Sequence, residues 1–574
     1  MSSTIENTGA PALAGRGFSA ALDYAGTSHR LAAVFLLLFS LLAFLPGFFQ
    51  IPPVDRDEAR FAQATKQMLE TREYIDIRFQ NEVRYKKPVG IYWLQAAAVS
   101  TGEWLGVPQA RTTIWLYRLP SLVGGIAAVL MTYWAALAFV SRRGALIAAL
   151  MMASSVLLGV EARLAKTDAM LLFASVAAMG AMGRIYLRAR GTVEQKARWT
   201  DPAIFWTAMA AGVLLKGPLI LMFAVLAAFA VSIADRSTRW MLSLRPLYGI
   251  LWMLLLVLPW FIAIVAKSGD SFLVQSLGHD MLSKVTSGQE AHGAPPGFYF
   301  VLFWLTFWPG AVLAGLAAPA VWRSRQEPEI RFLLAWILPS WLVFEVVMTK
   351  LPHYVMPLYP AIAILIARVI EIGTLSKIRW IVRGTFGWFL FPCVVAIAVL
   401  IAFIMLERDL GLVAWPFSAA AVIFGLFAWR LYDVDGAERS LLRGTLASLL
   451  VAITVYAVTF GSLPSLFPSA LIAEQIRTTG CRQPHVVSTF AYQEPSLVFL
   501  LGTDTRFADG ASAADFLRSG PCHFAVLDPR GERNFVQRAE SISLRYSFLQ
   551  RIEGYNISIG KPVSLTLFRS QENP

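Results

Sequence analysis

Val54-Asp55-Arg56-Asp57-Glu58-Ala59-Arg60 places three carboxylates and two guanidiniums within six residues, directly after an apolar run. Such acids can accept a proton or pair with a cationic group, and acids at a helix start also offset its dipole. A second charged turn, Glu161-Ala162-Arg163-Leu164-Ala165-Lys166-Thr167-Asp168, lies between two further apolar runs. Asp168 is either an N-terminal helix stabiliser or a second carboxylate facing the first across a cavity. Arg60, Lys87, Arg163, Lys216 and Lys350 supply cations. Singly, each can snorkel to an interface; converging, they would hold a phosphate through charge-assisted hydrogen bonds. Lys87-Pro88 and Lys350-Leu351-Pro352 set the cation beside a residue with fixed φ. His279 and His292 share one loop and His353 lies in the next. Together with Asp57 and Glu58 they can bind a divalent ion, or they are hydrogen-bonded structural groups.

These residues need elements to carry them, and the composition says which. The 574 residues are 56% hydrophobic and 15% charged, with a mean hydropathy of +0.57. Apolar runs approaching the ~20 residues that cross a bilayer recur up to residue 463. Within hydrocarbon such runs must satisfy their own backbone groups, so they read as helices. Thirteen spans are expected: 31–49, 118–140, 144–160, 168–187, 203–216, 217–233, 247–266, 298–321, 331–348, 354–371, 384–406, 413–432 and 441–463.

Short basic loops at Ser141-Arg142-Arg143, 188–198, 236–245, 323–325 and 377–383 mark the cytoplasmic side. The chemistry-bearing residues all fall on the opposite side, which implies one cavity roofed by outer loops. In the long outer loop 50–117, Ala59–Glu70 has helical periodicity and Val89–Leu105 is amphipathic, as in interfacial helices. Ser271–Lys284 reads as a further interfacial helix. The net charge of +13 reflects loop lysines and arginines, and nucleic acid is not an expected partner. Residues 1–30 form a polar cytoplasmic segment, and the first run lacks a cleavage site after it.

After Pro464 the composition shifts. Short apolar strands at Val486–Phe490, Phe524–Leu527 and Val563–Phe568 alternate with helical stretches such as Ser512–Leu517. Residues 464–574 therefore read as a small α/β domain on the outer, periplasmic side, where Cys481 and Cys522 either pair or are buried apart. Cys393 lies in an apolar run.

At Asp57-Glu58-Ala59-Arg60-Phe61, Tyr85-Lys86-Lys87-Pro88 and Tyr92-Trp93 the sequence resembles the bacterial aminoarabinose lipid A transferases. These belong to the GT-C glycosyltransferases, which include the protein O-mannosyltransferases. The likeness continues through Asp168, Lys216-Gly217, Pro259-Trp260, His279, His292-Gly293-Ala294-Pro295 and Lys350-Leu351-Pro352. It implies a polytopic all-α GT-C membrane domain over 31–463, with a C-terminal periplasmic α/β domain. It also implies transfer of 4-amino-4-deoxy-L-arabinose from undecaprenyl phosphate to a lipid A phosphate at the bacterial inner membrane, with resistance to cationic peptides.

By that likeness Asp57, Asp168 and Glu58 are the catalytic-site carboxylates. Arg60, Tyr85, Lys87, Arg163, Lys216, Lys350 and Tyr354 are the donor-phosphate candidates. His279, His292 and Glu58 are the candidate ligands should a divalent ion serve as cofactor. The Asp55-Arg56-Asp57 triplet departs from the family pattern, which more often has one acid before the Glu. Departure of a lipid phosphate from the anomeric carbon develops negative charge that an Arg/Lys cluster stabilises. A hydroxyl acceptor would need a carboxylate base; a phosphate acceptor is already anionic. A GT-C mannosyltransferase acting on protein or glycan is the alternative, ahead of a transporter or flippase, since no internal repeat or midplane charge pattern is visible.

Overall fold

The computed structural model describes residues 19–192, 199–269, 272, 293–481 and 483–571. Helix α1 (His29–Phe44) starts at Ser28, whose hydroxyl accepts the Leu31 amide, a standard N-cap. The loop that follows carries α2 (Asp57–Thr71), a two-stranded antiparallel hairpin of β1 (Arg78–Phe79) and β2 (Glu82–Val83), and α3 (Gly90–Trp104). Helices are therefore present over both stretches of this loop expected to be helical. The stretch Ser271–Lys284 lies outside the described residues apart from Phe272.

The bundle continues through α4 (Ile114–Ala136), α5 (Arg142–Ala153), α6 (Val156–Glu161), α7 (Asp168–Ala189), α8 (Thr200–Lys216), α9 (Leu219–Asp235) and α10 (Pro246–Ser268). Then come α11 (Phe298–Thr306), α12 (Ala311–Arg323), α13 (Pro328–Val346), α14 (Tyr359–Ile372), α15 (Gly387–Leu406), α16 (Trp415–Arg430) and α17 (Tyr432–Ala452). Among the described residues, seven helical segments are long and apolar enough to cross a membrane: 114–136, 168–189, 246–268, 352–372, 379–406, 412–430 and 432–462. Shorter apolar helices lie at 29–44, 219–235 and 311–323.

Two expected spans are interrupted. The 144–160 run breaks at Ser154-Ser155, whose hydroxyls bond carbonyls of the preceding turn instead of continuing the helix. The 298–321 run breaks at Trp308-Pro309, where proline supplies no backbone donor. The break expected at Lys216-Gly217-Pro218 is present, with Gly217 at φ 75, a conformation that suits glycine. The buried core centres on α4, α5 and α7, small-residue-rich helices that approach closely, whereas α10, α15 and α16 are largely exposed apolar surface.

Residues after 464 form a five-stranded mixed sheet in the order β4-β3-β5-β7-β6. Strands β3 (His485–Thr489), β4 (Arg506–Ala508) and β5 (His523–Leu527) are parallel; β6 (Tyr546–Asn556) and β7 (Lys561–Ser570) add an antiparallel edge. Helices α18 (Pro468–Thr478), α19 (Pro495–Leu501), α20 (Gly510–Leu517) and α21 (Pro529–Ser541) accompany them. Cys481 and Cys522 form a disulfide, with Cα atoms 5.8 Å apart.

Candidate functional site

The charged turn between α6 and α7 brings the densest set of ionisable groups together. Asp168, the first residue of α7, is buried and bonded by the Lys216 ammonium from the end of α8. Lys166 Nζ lies 3.7 Å from Asp168 and 3.4 Å from Glu161. His353 bridges the two acids, with Nδ1 3.5 Å from Glu161 and Nε2 3.6 Å from Asp168. Tyr354 packs its ring against the His353 ring, and the Lys216 ammonium lies 5.4 Å from the Tyr354 ring centroid. Lys87 is near enough to His353 to act on its charge. Asp57 likewise acts on Lys166, although it is exposed at the start of α2 and makes no hydrogen bond among the described residues. Asp57, Asp168, Lys87, Lys216 and Tyr354 therefore share one region. Glu161, Lys166 and His353 belong to it as well. The Glu-x4-Lys-x-Asp spacing of the charged turn signals Glu161 and Lys166, whereas His353 comes from the separate turn before α14.

Other candidates have different employment. Glu58 is buried, and both of its oxygens are engaged. Arg118 donates to them through Nε and Nη2 at 2.8 Å, and the Val54 and Ala165 amides each donate at 2.9 Å. Arg118 also donates to the carbonyls of Phe48, Ile51 and Pro52, so it ties the start of the loop after α1 to α4. Glu58 is thus a positioning group, with no lone pair aimed at a substrate or a metal. Arg163, read as a phosphate contact, instead donates to the carbonyls of Pro46, Gly159 and Ala43 and covers the Tyr456 ring.

Lys350, another phosphate candidate, directs its ammonium to the carbonyls of Phe344, Glu345 and Val347 at 2.8–2.9 Å, closing the C-terminus of α13. Tyr85 donates to Asp76 at 2.8 Å, and burial together with that carboxylate pushes its hydroxyl up to about 12. Arg60 makes no side-chain hydrogen bond among the described residues. It lines a cavity of about 1130 Å³ between the β1–β2 hairpin and the C-terminal unit, together with Arg84, Lys86 and Arg506.

His279 and His292 lie outside the described residues. Glu161, Asp168 and His353 offer ligand atoms within 4.8 Å of one another, the spacing of a cation site. A divalent ion fits poorly there, because the Lys166 and Lys216 ammoniums already stand against the same carboxylates. A third positive charge would be repelled.

Asp55 faces away from this cluster, toward the C-terminal unit, where Oδ1 accepts the Ser496 amide at 3.0 Å. Burial in that crevice, and then the Glu494 carboxylate, raise its titration from 3.8 to about 7.

Residues 34–271 match the family model described as dolichyl-phosphate-mannose-protein mannosyltransferase. The chain is 27% identical over 473 residues to the undecaprenyl phosphate-alpha-4-amino-4-deoxy-L-arabinose arabinosyl transferase of Serratia proteamaculans, covering 77% of this chain and 80% of that one. Its fold is similar to ArnT from Cupriavidus metallidurans in the apo state, with a TM-score of 0.72 and 16% identity over 93% of this chain and 97% of that one. The same relative bound to undecaprenyl phosphate gives a TM-score of 0.69 at 18% identity, with the same coverage. The resemblance read from the motifs and the resemblance in fold agree.

Proposed function

We propose that this chain is a GT-C glycosyltransferase that moves 4-amino-4-deoxy-L-arabinose from undecaprenyl phosphate to a phosphate of lipid A at the periplasmic face of a bacterial inner membrane, and so confers resistance to cationic peptides. The curated relatives carry arabinosyl transfer from undecaprenyl phosphate-aminoarabinose in their names, and the similarity in fold to ArnT from Cupriavidus metallidurans supports the same reading. Within the chain, the carrying observation is the buried Asp168–Lys216–Lys166–His353 cluster beside the unengaged Asp57.

In this reading thirteen helical crossings place residues 464–574 outside the cell membrane, an assignment that the Cys481–Cys522 disulfide supports. The membrane domain is 31–463, and 1–30 lie in the cytoplasm. An acceptor phosphate oxygen attacks the anomeric carbon while the bond to the carrier phosphate breaks. Lys87 and Lys216 stabilise the departing phosphate, helped by Lys166. Asp168 and Glu161 keep those ammoniums fixed in a dry site. Asp57 pairs with the 4-ammonium of the sugar or orients the acceptor. Lysines do here what a divalent ion would do elsewhere, so no resident metal is required of this cluster.

Mass spectrometry of lipid A from cells with and without the protein tests the reading. A mass increment of one aminopentose that depends on the protein supports it, and its absence in expressing cells overturns it. The Asp57→Asn variant, in an intact and well-folded preparation, is expected to lose transfer. The match to a protein mannosyltransferase family favours one second reading, a hydroxyl acceptor. Purified protein offered lipid A and a hydroxyl acceptor side by side separates the two.

A further inference from the structure

We infer that the C-terminal unit is a positioning part of the transfer site: it clamps the turn that presents Asp57. The inference rests on the reading of Asp57 as the acid that meets substrate. Arg56, immediately before α2, has φ 66 and ψ −114, a conformation open to glycine and unfavourable for a residue with a Cβ. Such a turn persists only when its surroundings over-determine it. From below, Arg118 holds Glu58 and the 48–52 carbonyls.

From above, the holding groups come from the C-terminal unit. The Ser496 amide, in the first turn of α19, donates to Asp55. The Arg56 guanidinium donates to the Ser558 carbonyl. The turn containing Ser558 is in turn fixed by Glu494, which accepts from Asn556 Nδ2 at 2.7 Å and Ser558 Oγ at 2.8 Å. Further along α2, the buried Lys66 ammonium donates to the Phe499 carbonyl at 2.9 Å, and Gln63 donates to the Thr503 hydroxyl at 2.8 Å. The contacts flank Asp57 and leave it exposed. A unit docked only for stability has no reason to grip the two residues that precede an acid whose side chain has no hydrogen-bond partner among the described residues.

Purified full-length variants test the clamp, with donor and acceptor kinetics and melting followed together. Asp55→Ala removes the acceptor for the Ser496 amide, whereas Asp55→Asn keeps an oxygen there. The clamp predicts that Asp55→Ala lowers kcat at least ~10-fold with donor KM within ~3-fold, and that Asp55→Asn restores at least half of kcat. Lys66→Met is expected to lower kcat ~5-fold in the same KM-sparing manner. Arg56→Gly, which accepts the turn but loses the tie to Ser558, is expected to retain more kcat than Arg56→Val.

Asp55→Ala and Lys66→Met with wild-type kcat would overturn the clamp. So would losses of Asp55→Ala and Asp55→Asn that are equal and track melting alone. Asp57→Asn is run in parallel. If it is inactive while Asp55→Ala is normal, the clamp alone fails; if it is fully active, the reading of Asp57 fails first.

Discussion

Glu58 with Arg118 and Asp168 with Lys216 are both buried acid–base pairs at the same end of the bundle, yet their surroundings differ in kind. Around Glu58 four N–H donors meet two oxygens, and Arg118 spends its remaining donors on backbone carbonyls. A planar guanidinium suits such a closed, multidentate arrangement. Around Asp168 the cations are flexible ammoniums, a histidine shares two acids, and Glu161 Oε2 is buried with no hydrogen-bond partner among the described residues. Burial and charge are the same in the two places. What separates a brace from a site is how many donors and acceptors are left over.

The comparison is broken most severely if Asp168→Asn leaves transfer intact. The expected loss is on the order of 100-fold or more in kcat, with the protein still folded, since a preorganised charge is removed from a water-poor site. Arg118→Met should do the reverse, acting on the fold before the chemistry. Stranding the Glu58 carboxylate costs about 3–5 kcal/mol, read as a lower melting temperature in detergent. Replacing both partners with apolar residues is expected to recover part of that loss.

Lys350→Met should cost roughly 1–2 kcal/mol through the freed α13 carbonyls and leave donor KM within about 3-fold. A large rise in donor KM would return Lys350 to the phosphate site. A gentler effect concerns Asp55, faced by Glu494, Tyr492 and Arg60. Because its titration is raised from 3.8 to about 7, the docked state favours the protonated acid. That contribution is present at low pH and is lost as pH rises through about 7. Protection of amides 495–505, measured relative to their intrinsic exchange rates, should therefore fall as pH rises from 3.8 through about 7, and Asp55→Asn should flatten the change. Chelation sits at the bottom of the scale, with transfer expected to stay within about 2-fold after EDTA.

Apolar length and the spacing of charged turns made the bundle and the location of the site readable from residues alone. The roles of individual cations were not readable in the same way. Lys350 and Arg163 find their partners among backbone carbonyls, which every residue carries and no motif announces. Arg118 lies inside an apolar run, so its charge looked like the start of a span rather than the brace of a loop. Glu161 and His353 stand 192 positions apart in sequence and meet only through the packing of α6 against the turn before α14. In the C-terminal unit, the expected strands were the buried ones. Strand β6 escaped because it is an edge strand with polar residues on an irregular pattern and a register shift between Phe548 and Gln550.

The Cys481–Cys522 bridge has a bearing on biogenesis. It joins the segment after α18 to the chain just before β5, enclosing β3, α19, β4 and α20, and α19 is the helix that seats against the turn carrying Asp57. Ribosomes deliver that helix more than 400 residues after the acid it steadies. A nascent chain with every crossing already threaded thus still carries an unfinished workplace. Under the proposed clamp, the turn carrying Asp57 reaches its final shape only after the C-terminal unit has been made and docked.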